Sequence, residues 1–338
     1  MKGWLAALLL AAWTLAPDLA RAADQAVILM YHRFGESKFA STNIRLRQFE
    51  AHIAELTSGP YTVLPLSEIV AKIQTGAPLP ERTVGITVDD GYASVFKEAW
   101  PRLRAAGLPF TVFISTDLAG SGAASYMRWE QIRQLRAGGV EIGAHTASHP
   151  HMIASGAARL DAEMQKSNAR FKAELGTAPD FFAYPYGEAG GRERALALKS
   201  GYRAAFGQHS GVFHTSSEAT YIPRFALNES FGAIGRFRLV INALAMPVTD
   251  VAPVDAGIGV VNPPNFGFTV TGDIGNLKNL GCFSSSEGRA RVEILGSRRV
   301  EVRLKNPLPK GRSRINCTLR DQSGRWRWLG TIFYVSPE

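Results

Sequence analysis

Two aspartates stand side by side at residues 89 and 90, closing the stretch Gly85-Ile-Thr-Val-Asp-Asp-Gly-Tyr92. Gly85 to Val88 read as a buried strand, and a buried strand gains nothing by ending on two like charges. Further along, His145 ends the run Glu141-Ile-Gly-Ala-His, and His149 follows four residues later. That gap lets two imidazoles converge where a strand end passes into a helical turn. With one carboxylate they form a two-His, one-carboxylate set, which leaves positions open on a metal for water and substrate. The neighbouring carboxylate can then serve as a base, because a metal lowers the pKa of its water and polarises a carbonyl. Such a site suits hydrolysis of an amide or ester. Taken singly, Asp-Asp-Gly reads equally well as a helix cap or turn pair, and the two histidines as solvated loop residues.

The elements that must position these groups are legible as alternation. Between Val27 and about Asn242, β-rich runs occur at 27–32, 83–90, 109–115, 140–146, 181–187, 203–207 and 223–227. Helical periodicity fills most of the gaps. Residues 45–56 set Phe49, Ile53 and Leu56 on one face, and residues 159–175 do the same with Leu160, Met164, Phe171 and Leu175. Strands alternating with helices predict an α/β parallel sheet, and about seven such units suit a barrel. The working groups of a parallel barrel sit at the C-terminal ends of its strands, where Asp89, Asp90, His145 and also His32 fall. After Asn242 a Pro- and Gly-rich passage leads into short alternating runs without helical period. These predict a small antiparallel β-sandwich over residues 246–338. Its Trp326-Arg327-Trp328 run could stack on sugars or pack one aromatic face inward.

Composition excludes other classes. With 46% hydrophobic residues in 338, the chain is long enough for one large domain and a smaller one, not a disordered chain. Lys2, the apolar run Leu5–Ala16 and the Ala20-Arg21-Ala22 signature predict a secretory signal peptide over 1–22, an uncleaved anchor being the alternative. The expected location is therefore periplasmic or secreted, with no other membrane-spanning segment. Export favours a disulfide between Cys282 and Cys317, the two cysteines of the chain. The formal charge is +9, and residues 251–338 hold 13 basic and 7 acidic side chains, a net of +6. In an exported chain that excess points to an anionic cell-surface polymer rather than nucleic acid, or to a solvated basic face.

Two motifs carry a resemblance. Thr87-Val-Asp-Asp-Gly91 is similar to the first motif of the polysaccharide deacetylases, the NodB-homology or carbohydrate esterase 4 group, and His145-Thr-Ala-Ser-His149 to the second. Order, separation and the flanking Leu29–Gly35, Gly107–Gly120 and Val140–His149 resemble members that act on exopolysaccharides, over roughly residues 26–230. The resemblance implies a distorted (β/α)7 barrel, here residues 23–245. It implies a base at Asp89 and a divalent metal on Asp90, His145 and His149, zinc most readily, with cobalt or nickel as alternatives. The implied reaction is removal of N-acetyl groups from an N-acetylhexosamine polysaccharide, with acetate as product.

The chain departs from the family pattern in three places. The third motif keeps Pro185 and Tyr186, whose N–H would hold the oxyanion, but has Ala183 where an arginine orients the base. Arg224 is expected to take that place. The fifth motif ends on Asn228 and Glu229 without its acid histidine. His32 is the preferred acid, with His209 and His214 as alternatives. The fourth motif is not visible as such, although Trp129 is a candidate for the pocket wall or else a helix anchor. Rival readings are an O-acetyl esterase or other amide hydrolase on the same metal site, and a non-catalytic glycan binder.

Overall fold

The computed structural model describes residues 22–336. The signal-peptide expectation falls on residues outside that range, apart from Ala22. Among the described residues no helix is long and apolar enough to cross a membrane.

The main sheet of nine strands contains seven mutually parallel ones: β1 (Gln25–Tyr31), β2 (Thr83–Val88), β3 (Thr111–Ile114), β4 (Glu141–Ala144), β5 (Phe181–Ala183), β6 (Ala204–Phe206) and β7 (Phe225–Ala226). Their order is β6-β5-β4-β3-β2-β1-β7. Each coincides with one of the β-rich runs of the sequence. The strands are short and mostly buried, as apolar strands covered on both faces must be. Ile222, just ahead of β7, pairs with Phe206 of β6, so the curled sheet brings its two edges together. This is the barrel that the alternation predicted, in the distorted form that the resemblance implied.

Helices α1 (Leu46–Ser58), α2 (Leu66–Thr75), α3 (Trp100–Ala105), α4 (Trp129–Ala137), α5 (Ala157–Leu175), α6 (Gly191–Lys199) and α7 (Ile234–Ile241) cover the sheet. The faces read from the sequence are the faces that pack: Phe49 and Leu56 of α1, and Leu160, Met164 and Phe171 of α5, join the main core. Helix α2 lies elsewhere. Its Leu66, Ile69 and Ile73 gather with Ile28, Phe113 and Phe206 from the sheet. Each fully buried aliphatic or aromatic side chain of this kind contributes about 1.5–3 kcal/mol.

Beyond Asn242 two antiparallel sheets face each other. One contains β8 (Val248–Ala252), β9 (Phe266–Val270), β11 (Arg291–Leu295) and β12 (Arg299–Arg303), in the order β8-β9-β12-β11. The other is built on β10 (Gly281–Ser284), β13 (Gly311–Arg320) and β14 (Trp326–Val335). Phe266, Phe268, Val300, Ile315 and Phe333 fill the space between them. Cys282 and Cys317 are direct cross-strand partners on β10 and β13 and form a disulfide.

The sandwich is fastened to the barrel along β14. The short strand Leu244–Ala245 pairs with Arg327 and Trp328, and Gly211 of the barrel bridges to Leu329. Gly330 is required here by close approach. A Cβ at this position would run into the backbone oxygen of Ser210. On β13, residues 313, 315, 317 and 319 are buried, and the alternate residues Arg312, Arg314 and Asn316 point the other way, toward the barrel mouth.

Candidate active site

Asp89 follows β2, and its N–H still donates to Tyr31 O on β1 (2.9 Å). The chain then turns sharply, because Asp90 and Gly91 both adopt positive φ (73° and 71°). The turn separates the two carboxylates, one facing the barrel interior and one the mouth. A left-handed conformation costs about 1–2 kcal/mol at a non-glycine residue, so Asp90 is held there by its surroundings. Gly91 meets a second constraint, since a Cβ would lie 2.7 Å from Ile114 Cδ1.

His145 follows β4 in the same way, and its N–H donates to Ile114 O (3.0 Å). Thr146 and His149 are again at positive φ (64° and 61°). The loop between them is held by Glu163 of α5. That carboxylate accepts the N–H groups of Ala147 (3.1 Å) and Ser148 (2.8 Å) and the Ser148 hydroxyl (2.6 Å). Glu163 was not singled out by sequence reasoning. It is one acidic residue on the polar side of a long helix, and nothing in its spacing marks it.

Asp90, His145 and His149 converge. Nε2 of each histidine lies 3.2 Å from Asp90 Oδ1, and the ligand atoms of the three all fall within 4.8 Å of one another. Asp90 Oδ1 and His145 Nε2 are buried and lack a hydrogen-bond partner among the described residues. His145 Nδ1 donates to Ala183 O (2.6 Å), which fixes its tautomer and leaves the Nε2 lone pair aimed at the cluster. Buried lone pairs converging on one point, with the outer ring nitrogen fixed by a carbonyl, fit a divalent cation. Oxygen and imidazole donors of this kind suit several such cations.

Asp89 is fully buried and faces a fully buried arginine. Arg224 grips it bidentately, Nη1 to Oδ1 and Nη2 to Oδ2, both 2.7 Å. The same guanidinium donates to Thr87 Oγ1 (3.0 Å) and Gly207 O (2.8 Å) and lies 5.4 and 6.0 Å from the ring centroids of Phe113 and Phe206. Burial alone would raise the Asp89 pKa. Arg224, His145 and the hydrogen bonds to Arg224 outweigh burial and hold the carboxyl below its ordinary value. Arg224 thus supplies the guanidinium at Asp89, while Ala183 contributes its carbonyl to His145.

His32, just past the end of β1, lines the same cleft as Asp90 and His149. Burial lowers its pKa, with Asp90 and Asp89 pulling the other way. Tyr186 follows Pro185 at the end of β5 with φ 59°. Its ring packs edge-on to His149 (4.5 Å) and stacks on His151 (3.9 Å). Its carbonyl accepts a hydrogen bond from Arg312 Nη1 of β13 (2.9 Å). His151 binds Glu188 Oε2 through Nδ1 (2.9 Å), and Glu188 is itself buried beside Arg312.

Other candidates are placed away from the cleft. Trp129 opens α4 and packs edge-on against Phe171 (5.7 Å), so it anchors a helix and does not wall the pocket. Tyr92 and Tyr126, stacked at 5.0 Å, stand there instead. His209 is buried against Tyr221 (4.2 Å), and burial pushes its pKa down to about 3. His214 pairs with Gln25 at the opening residue of β1, at the far end from the site. Neither lines the cleft that holds Asp90 and His149. Asn228 does line the cleft, although Glu229 ties Asn43 and Arg45 together instead.

A curled parallel α/β barrel with a two-His, one-carboxylate cluster and an arginine-held aspartate at its strand ends is the arrangement that the resemblance to the NodB-homology group implies. A family model described as polysaccharide deacetylase matches residues 76–205. YxkH of Bacillus subtilis (strain 168), named for the same family, is 27% identical over 176 residues, covering 52% of this chain and 62% of that protein. The poly-beta-1,6-N-acetyl-D-glucosamine N-deacetylase of Escherichia coli (strain K12) is 25% identical over 225 residues, covering 54% and 33%. The chain thus spans less than two thirds of the length of these two relatives. Among solved structures, IcaB from Ammonifex degensii aligns with a TM-score of 0.57 at 26% identity, over 62% of this chain and 94% of that one. The Streptococcus pyogenes deacetylase PplD aligns with a TM-score of 0.60 over 64% and 98%, at an identity of 18% that speaks for the fold alone.

Proposed function

We propose that this protein is a metal-dependent hydrolase that removes N-acetyl groups from an N-acetylhexosamine polysaccharide outside the cytoplasm and releases acetate. The observation that carries the reading is the pairing of two groups: a buried Asp90–His145–His149 cluster with orphaned lone pairs, and the Arg224-held Asp89 beside it. Relatives named as poly-β-1,6-N-acetylglucosamine deacetylases support the substrate class.

Asp90, His145 and His149 would hold a divalent metal, zinc or else cobalt or nickel, which supplies Lewis acidity toward the acetyl carbonyl and toward water. Asp89 is ionised at neutral pH because of Arg224. Each of its oxygens keeps a second lone pair after the arginine has taken one, so it can take the proton of the attacking water. The water oxygen bonds to the acetyl carbon. The N–H of Tyr186 donates to the oxygen that becomes negative. The C–N bond then breaks, and His32 in its protonated form gives the leaving nitrogen its proton. Acetate and a free amine result.

Acetate release from β-1,6-linked N-acetylglucosamine oligomers tests the reading. Chelator-treated protein should be inactive, and zinc, cobalt or nickel should restore it. Release of acetate from O-acetylated but not N-acetylated sugar would replace the proposal with an esterase. A folded, metal-binding protein that releases none would point to a different acyl group, and failure to bind metal would leave a glycan-binding role.

A further inference from the structure

The cleft above the cluster has a volume of about 860 Å³ and is walled on one side by the sandwich. Its charge is lopsided. Arg236, Arg312 and Arg314 line it, and the one carboxylate among its described lining residues is Asp90, which belongs to the ligand cluster. Arg312 is accounted for by Glu188 and the Tyr186 carbonyl. The other two are not. Arg236 on α7 donates to the carbonyls of Phe231 (3.0 Å) and Ala226 (3.3 Å) but meets no carboxylate among the described residues, and burial pushes its pKa down to about 10. Arg314 on β13 has no side-chain hydrogen bond or ion pair among the described residues, although it is half-buried and burial depresses its pKa. Its backbone N–H is held by Ser285 Oγ (2.9 Å), so the strand that carries it is fixed.

Two partly desolvated arginines without a counter-charge cost stability unless a ligand supplies one. A neutral poly-N-acetylhexosamine supplies none. The guanidinium fork matches planar or tetrahedral oxyanions bidentately. We infer that Arg314 and Arg236 form a subsite for an anionic group, a carboxylate or a phosphate, carried by the polysaccharide next to the acetamido sugar at the metal cluster. The inference rests on the deacetylase reading and sharpens it: the acetylated polymer is acidic, and the sandwich reads its charge. The same charge repels the amine produced by the reaction and so favours product release.

The test compares three oligosaccharides: neutral N-acetylglucosamine oligomers, oligomers alternating N-acetylglucosamine with a hexuronate, and phosphate-bearing N-acetylglucosamine oligomers. Acetate release gives kcat/KM for each at low and physiological salt. One of the acidic substrates should exceed the neutral one by about tenfold or more, the effect of one charge-assisted hydrogen bond, and salt should erode the advantage. Which acidic substrate wins identifies the group. Arg314→Gln should cut the acidic-to-neutral ratio about tenfold, and Arg314→Lys should restore part of it. Arg314 is the cleaner position because it holds nothing else in place. Equal rates on all three, or a preference that survives Arg314→Gln, would overturn the inference. If none releases acetate, the deacetylase reading fails separately, and binding of the same three to metal-loaded Asp89→Asn still decides. Preferential, salt-sensitive binding of an acidic oligomer supports the subsite, and equal binding removes it.

Discussion

Arg224→Gln is the perturbation in which the site's electrostatics are most exposed. Both members of the Arg224–Asp89 pair are fully buried, at 0% exposure, and joined by two hydrogen bonds of 2.7 Å. Removing one partner of a buried pair strands the other charge and costs about 3–5 kcal/mol. At about 2–4 °C per kcal/mol for a domain of this size, Tm should fall by about 10 °C. The loss must also depend on pH. In the wild type the folded-state pKa of Asp89 lies below its unfolded value. The pair's contribution is therefore complete above the ordinary carboxylate range near pH 3.9 and is lost only as pH falls through the lower folded value. In the variant burial acts without its main opponent, the folded pKa rises, and stability falls as pH increases. The wild type–variant gap should thus be wider at pH 7.5 than at pH 5. Denaturant titration at both values measures it, and on metal-loaded enzyme the acid limb of acetate release should move to higher pH. Arg224→Lys should recover part of both. A gap below about 1 kcal/mol, flat with pH, would refute the argument that Arg224 keeps Asp89 charged.

The other predictions concern separate parts of the molecule. Asp89→Asn should retain metal, read by elemental analysis of the purified protein, and lose about 10²–10⁴-fold in kcat, the usual worth of a general base. His145→Ala should lose the metal as well. His32→Gln should lower kcat by about 10²-fold. Because burial lowers the His32 pKa, the wild-type rate should decline as pH rises through a value below that of free imidazole, and the variant should lack this decline. Gly330→Ala forces a methyl group against Ser210 and should cost about 1–3 kcal/mol, the range for overpacking. Limited proteolysis should then release the sandwich more readily. Cys282→Ala with Cys317→Ala opens a cross-link spanning 35 residues and should destabilise the sandwich by about 4 kcal/mol on the loop-entropy relation. Unchanged unfolding of the double variant would show that the relation does not govern here.

The sequence by itself determined the seven strand-forming runs, the helix faces at Phe49–Leu56 and Leu160–Phe171, the β texture of the last quarter, and the residues Asp89, Asp90, His145 and His149. These are properties of spacing along the chain. Periodicity reports which faces are buried, and a strand end reports which residues reach the mouth. Arg224 was legible only as a gap at Ala183 that another arginine must fill. That it meets Asp89 with both nitrogens depends on β7 lying beside β1, across the barrel closure, and no local pattern encodes that neighbour. Trp129 failed as a wall residue because amphipathic spacing does not say which apolar neighbour a tryptophan meets. His209 and His214 lie away from the cleft because their neighbours Tyr221 and Gln25 are set by the fold, not by the residues flanking them in sequence.

Only the tertiary structure decided that the sandwich belongs to the site. Arg312 reaches the Tyr186 carbonyl from 126 positions away in the chain, and Arg314 enters the cleft from the same strand. Alternation along β13 said that one face would be polar. It could not say that this face looks into the barrel mouth, because that is set by where β14 docks on Ser210–Gly211 through Gly330. Contacts between distant segments arise from packing of whole surfaces, which the order of residues within each segment constrains but does not fix.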